Sequence, residues 1–244
     1  MPNCPRCNAL VEPGAKTCPS CGYVIEIEAP PAPGLEGDAP IDVFAWLRGG
    51  WSLFLPNAGP FVGFGVVAIV VSVLATIAFE QIPVVGWLLP TVVTAPLFAG
   101  FLAASFKLVR GEILEFGDFL RGFDFLVPLA LGAIVSNALV TMGMILLIAP
   151  GIYLAVGYTF MNALILEEKL DFWQAMEGSR RVVHRRWLSF FGFGLLLMMV
   201  NLAGALALGV GLLISMPVTY AAMAVAYADV FGLRPADRDG SRFT

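Results

Sequence analysis

The sequence predicts an all-α polytopic membrane protein: six transmembrane helices arranged as three hairpins with short interfacial helices, behind a small cysteine-rich N-terminal module. Three observations carry this. Of 244 residues, 59% are hydrophobic and 13% charged, against roughly a quarter charged in soluble domains, and the mean hydropathy is +0.85. The apolar residues gather into runs that approach the roughly 20 needed to cross the hydrocarbon layer as helix. Lysine and arginine are excluded from three long blocks, 49–106, 122–168 and 187–233, each long enough to run out and back.

The N-terminal module comes first. Met1-Pro2-Asn3-Cys4 has neither a basic n-region nor an apolar h-region, so no signal or transit peptide is expected and the N-terminus should stay in the cytoplasm. All four cysteines fall within the first 21 residues, as Cys4-Pro5-Arg6-Cys7 and Cys18-Pro19-Ser20-Cys21. In a reducing compartment, two close Cys-x-x-Cys pairs point to metal rather than disulfides. Each pair sets two thiolates across a tight turn, and ten intervening residues let one turn fold onto the other and close a tetrahedron around Zn²⁺. A rubredoxin-like iron site and a redox dithiol are the alternatives.

These motifs, with Gly22 after the second pair, resemble the short zinc-ribbon domain at the N-termini of many bacterial membrane proteins, over about residues 1–25. Asn8 stands where that family usually has Gly, and Asn tolerates left-handed backbone angles. Four sulfur ligands leave no open position, so the zinc is expected to be structural, folding a module too small for its own core. Arg6 and Lys16 are its only cations and the whole chain carries a formal charge of −4, so nucleic acid is not an expected partner. A cytosolic or membrane protein is. Residues 26–40 (EIEAPPAPGLEGDAP) join proline, glycine and acid in a composition that stays extended and solvated, and read as a disordered linker.

The six-helix domain is placed at 41–233, with a cytoplasmic tail at 234–244. Its apolar runs are Phe61–Phe79, Val84–Phe106, Phe125–Ala149, Gly151–Leu166, Leu188–Gly209 and Leu212–Phe231. All 14 cations lie in the N-terminal segment, the Lys107–Arg121 loop, the Lys169–Arg186 loop or the tail. Cations in short loops stay on the cytoplasmic side, so both termini are expected inside the inner membrane of a bacterial cell. The far-side turns are minimal, at Glu80–Pro83, Ala149-Pro150-Gly151 and Gly209-Val210-Gly211. They offer little surface for an external ligand.

Each pair of runs is preceded by an amphipathic segment, and the three align without gaps: Ile41–Gly49, Leu114–Gly122 and Leu170–Gly178. An acid at the second position (Asp42, Glu115, Asp171) complements a helix N-terminus, and the closing Gly suits a helix exit. Three copies of one interfacial helix plus one hairpin are expected. The third copy continues into a basic cluster, Arg180, Arg181, Arg185 and Arg186, with His184 among them. Beside a membrane such a cluster anchors the positive-inside orientation and suits anionic lipid head groups.

The central stretches of the six runs hold no Asp, Glu, Lys, Arg or His. Ion-coupled transport needs buried ionisable groups, and intramembrane proteolysis needs paired acids, a nucleophile with its base, or metal ligands. No enzyme is expected. What remains polar is Asn137, Asn162 and Asn201, suited to interhelical hydrogen bonds or to a substrate-facing patch. Pro90 and Pro96 in the second run predict a kink.

Pro150-Gly151-Ile152-Tyr153, then Ala175-x-x-x-Ser179 with a basic stretch ending in Trp187, then Pro217 and Tyr227 resemble a broad group of bacterial multi-pass proteins. That group includes uncharacterised membrane families and the membrane domain of some glycerophosphodiester phosphodiesterases, whose activity resides in a separate soluble domain. The resemblance implies a six-helix domain without a defined reaction. The expectation is a non-enzymatic scaffold for membrane lipids or proteins, whose zinc ribbon recruits a cytosolic partner. A transporter or channel for a neutral or amphipathic molecule is the alternative, and a homo-oligomer is left open.

Overall fold

A computed structural model describes residues 7, 20, 21, 41–79, 88–207 and 209–233. Its described elements are all helical. They are α1 (Val43–Phe54), a 3-10 turn (Leu55–Asn57), α2 (Ala58–Phe79), α3 (Leu88–Val109), a longer 3-10 helix (Phe116–Phe125; hereafter the 3-10 helix), α4 (Leu126–Leu146), α5 (Ile148–Gly157), α6 (Met161–Glu168), α7 (Phe172–Arg185), α8 (Trp187–Leu206) and α9 (Leu212–Phe231). Six helical stretches are long and apolar enough to cross a membrane: Val43–Phe79, Pro90–Val109, Phe116–Leu146, Ile148–Glu168, Trp187–Leu206 and Leu212–Phe231. The outward faces agree with an apolar surrounding, since Val70, Val73, Leu74 and Ile77 of α2 and Met198, Met199, Leu202 and Leu206 of α8 are exposed.

The core is largely aromatic. Phe61, Phe64, Phe101 and Phe119 interlock with centroid separations of 4.6–6.3 Å, and Phe106, Phe160, Phe190, Tyr227 and Phe231 form a second nest. Offset and edge-on pairs of this kind contribute about 0.5–1.5 kcal/mol each beyond buried area. Consecutive apolar helices pack together as α2 on α3, α4 on α5 and α8 on α9.

Three local readings need correcting. The turn placed at Ala149-Pro150-Gly151 is instead a single extended residue, Leu147 (φ −159°, ψ 134°), with Pro150 and Gly151 already inside α5. Proline is tolerated in a first helical turn, whose N–H groups have no intrahelical partner. Gly151 belongs there because the chain doubles back sharply: a Cβ on it would lie 2.6 Å from the Met144 amide nitrogen. The run ending at Leu166 extends to Glu168 but breaks at Tyr158–Phe160. Pro90 likewise sits in the first turn of α3, which leaves Pro96 as the interior proline of that helix. The Gly209–Gly211 turn stands as read, with Gly209 at φ +76°.

Candidate functional site

The three amphipathic segments begin alike and are buried in phase. Asp42 caps α1, its Oδ1 accepting the Phe44 and Ala45 amides at 3.0 and 2.9 Å. Asp171 caps α7, accepting from the Trp173 amide at 3.4 Å. Glu115 holds the N-cap position of the 3-10 helix, where the Asp118 carboxylate accepts the Glu115 amide at 2.7 Å. The sixth position of each copy is buried (Trp46, Phe119, Ala175), and the fourth is exposed (Phe44, Gly117, Trp173).

The closing glycines are not helix exits. Gly49 and Gly178 lie inside α1 and α7, and Gly122 lies inside the 3-10 helix. Gly122, like Gly50 and Gly100, marks a close approach between backbones, while Gly49 faces the Val225 side chain. A Cβ on Gly122 would fall 2.0 Å from the Pro96 carbonyl oxygen, one on Gly100 would fall 1.9 Å from that of Phe119, and one on Gly50 would fall 2.5 Å from the Ala222 nitrogen. The middle segment adopts 3-10 geometry, unlike α1 and α7. Residue spacing alone does not separate a terminating glycine from one that admits a neighbour.

These approaches share a rule. The 3-10 helix packs on α3, α7 on α6 and α5, and α1 on α9. Each amphipathic segment thus lies against the later part of the helix pair before it, and the first segment closes the circuit on the last helix. Polar latches secure all three junctions. Lys107 Nζ donates to Asp118 Oδ2 at 2.8 Å, the Trp46 indole N–H donates to Asp229 Oδ2 at 2.9 Å, and the Ser179 hydroxyl donates to the Gly157 carbonyl at 2.7 Å. Arg110 of the α3 end pairs with Glu167 of α6. Sequence reading missed these partners. Their signal was the placement of acids (Asp118, Glu167, Asp229) at helix ends where donors gather.

The basic cluster on α7 is partly engaged within the helix. Arg180 grips Glu177 through Nε and Nη2, both at 2.9 Å, and Arg181 Nε reaches the same carboxylate at 3.1 Å. Burial opposes the Glu177 charge, but the hydrogen bonds from Arg181 and Arg180 outweigh it and hold the carboxyl below its ordinary value. The bond to Glu177 in turn raises the Arg180 guanidinium. Arg185 is exposed and Arg186 half-buried, at the bend where α7 passes into α8. His184 Nδ1 lies 2.9 Å from the Tyr153 hydroxyl, and Tyr153 stacks on Trp187.

The three asparagines do not share one environment. Asn201 Nδ2 donates to Thr219 Oγ1 at 2.9 Å and its Oδ1 accepts from Ser215 at 3.0 Å, which clamps α8 to α9. Asn137 is exposed on α4, and Asn162 is half-buried on α6.

Of the expected metal ligands, Cys7 and Cys21 are described as isolated positions, while Cys4 and Cys18 lie outside the described residues, as do residues 26–40 and 234–244. Comparison with protein families supplies what the geometry there does not: residues 1–25 match the family model of a zinc-ribbon domain. No family model matches the helical part. No curated protein and no solved structure matches the chain.

Proposed function

We propose that the chain is a non-enzymatic integral protein of a bacterial inner membrane, with both termini cytoplasmic, in which three hairpins with amphipathic helices at the basic end form a scaffold for lipid or partner proteins. A zinc ribbon on a flexible linker recruits a cytosolic protein to it. The observation that carries the reading is how the buried polar groups are used. Among the described residues the buried polar side chains are Ser105, Asp118, Ser179 and Ser215. Each is bonded within the protein, to Phe101 O, to Lys107 and the Glu115 amide, to Gly157 and Phe160, and to Asn201 respectively. Asp118, Ser179 and Ser215 join separate helices, and Ser105 bonds back within α3. A transport path for a neutral molecule would call on Asn137, Asn162 and Asn201 together, of which Asn201 is committed to α9 and Asn137 is exposed on α4.

The donor set of Cys4, Cys7, Cys18 and Cys21 is four thiolates at zinc-ribbon spacing, which suits tetrahedral Zn²⁺ with no position left for substrate. Bound there, the ion supplies folding free energy to the module. Crosslinking in membranes from a photoreactive residue placed in the N-terminal module, away from the four cysteines, tests the recruiting role. Cys18→Ser is expected to abolish crosslinks from the N-terminal module to a cytosolic protein while the helices remain membrane-inserted. Crosslinks that persist after zinc is lost would overturn it.

A further inference from the structure

We propose that a groove between α1, α8 and α9 holds an acyl chain of an anionic phospholipid whose head group rests on Arg48. The inference deepens the membrane reading above and rests on it. The groove encloses about 510 Å³, within the roughly 300–1,000 Å³ of sites that bury a small molecule. Leu47 and Trp51 of α1 form one wall, Val200 of α8 the other, and Ile214 and Val218 of α9 lie between.

Its orientation follows from the pairing of helices. Trp46 bonds Asp229, Gly50 meets Ala222, and Gly49 meets Val225, so α1 runs antiparallel along α9 from its basic end inward. Arg48, the charged lining residue, therefore stands level with about Val225, and Gly211 marks the far end. That distance is roughly 20 Å along α9 at about 1.5 Å per residue, more than one leaflet of a hydrocarbon layer about 30 Å thick.

The chemistry is graded along this length. Arg48 has 76% of its side chain exposed and turns back toward Asp42, with Nη2 3.4 Å from Oδ2. The guanidinium thus faces the basic end while its stem lies along the groove. Below it the lining is apolar apart from Ser215, whose hydroxyl is directed to Asn201. A cation above an apolar strip more than one leaflet deep complements a phosphate above an acyl chain. Asp42 restrains this cation, which makes the two head-group classes separable by mutation.

The test uses the full chain in nanodiscs containing phosphatidylglycerol or phosphatidylcholine with a photoreactive group in the acyl chain. Expected is labelling concentrated on peptides bearing Trp51, Val200 and Ile214 over the exposed stripe of α2, and stronger with phosphatidylglycerol. Arg48→Gln should cut that preference about fivefold without changing phosphatidylcholine labelling. Asp42→Asn, which keeps an N-capping oxygen, should raise it. Ile214→Trp, at an exposed position, should fill the groove and abolish labelling there with either lipid. Labelling equal to that of the α2 stripe, or a head-group preference unmoved by Arg48→Gln, would overturn the site. Crosslinking of two copies through these residues would assign the groove to a dimer and equally overturn it. Failure of the chain to enter nanodiscs at all would sink the membrane reading itself.

Discussion

The Ser179 hydroxyl is built into the break between α5 and α6: it donates to the Gly157 carbonyl at 2.7 Å and accepts the Phe160 amide at 3.0 Å. Both backbone groups lost their helical partners at Tyr158–Phe160, where Met161 turns instead to the Tyr158 carbonyl. One side chain from α7 replaces two missing rungs.

Ser179→Ala should leave both groups buried and unpaired. An unsatisfied buried group costs about 1–3 kcal/mol, so a clear drop in thermal midpoint in detergent is expected, with faster amide exchange confined to residues 157–161. A midpoint equal to that of the parent would mean that water heals the break.

The glycines should divide into two sets. Gly122→Ala and Gly50→Ala drive a Cβ into backbone at 2.0 and 2.5 Å, and overpacking typically costs about 1–3 kcal/mol. Gly63→Ala and Gly192→Ala, with nothing within 4 Å, should be neutral or slightly stabilising, by up to about 1 kcal/mol. Thermal unfolding of the four variants side by side reads the contrast.

Asn201→Leu should loosen α8 from α9, because it removes one donor and one acceptor that bridge them. Interhelical hydrogen bonds in membranes average about 0.6 kcal/mol, and the stranded Ser215 hydroxyl adds to the loss. Asn137→Leu, at an exposed position on α4, should leave the thermal midpoint unchanged or raise it.

Glu177 gives a pH dependence with a definite sign. Folding lowers its pKa, so the ionised carboxylate stabilises the fold above the ordinary value of 4.5, and that contribution is lost as pH falls through the lower folded value. The group is about one-third exposed, so solvent screening keeps the effect small. Glu177→Gln should flatten the acid limb of a stability profile and, by releasing Arg180 and Arg181, increase the anionic lipid retained on purification, measured by mass spectrometry.

Much of the framework was legible because it depends on local chemistry. Apolar length located α9 at Leu212–Phe231, and an acid at the second position of each amphipathic segment (Asp42, Glu115, Asp171) marked a helix start, where the structure shows each at the N-cap. What escaped depends on partners far along the chain. The break at Tyr158–Phe160 is tolerable only because Ser179 arrives from α7, and no window around Tyr158 contains that fact. Gly49 and Gly122 needed to be seen against Val225 and Pro96 before their role was apparent. Pro150-Gly151 carries the punctuation of a turn but sits equally well in a first helical turn, and only the proximity of Gly151 to Met144 decides. Of the basic cluster, the arginines were legible and their partial neutralisation by Glu177 was not.

The seating of α1 along α9 joins the two ends of the helical part, and Trp46 finds Asp229 across 183 positions of sequence. A ribosome releases these residues in order, so α1 waits without its neighbour until α2 to α8 have been made. Completion of the bundle therefore waits for α9, and a chain stopped short of Ala222 would keep its early helices but leave α1 without that seat.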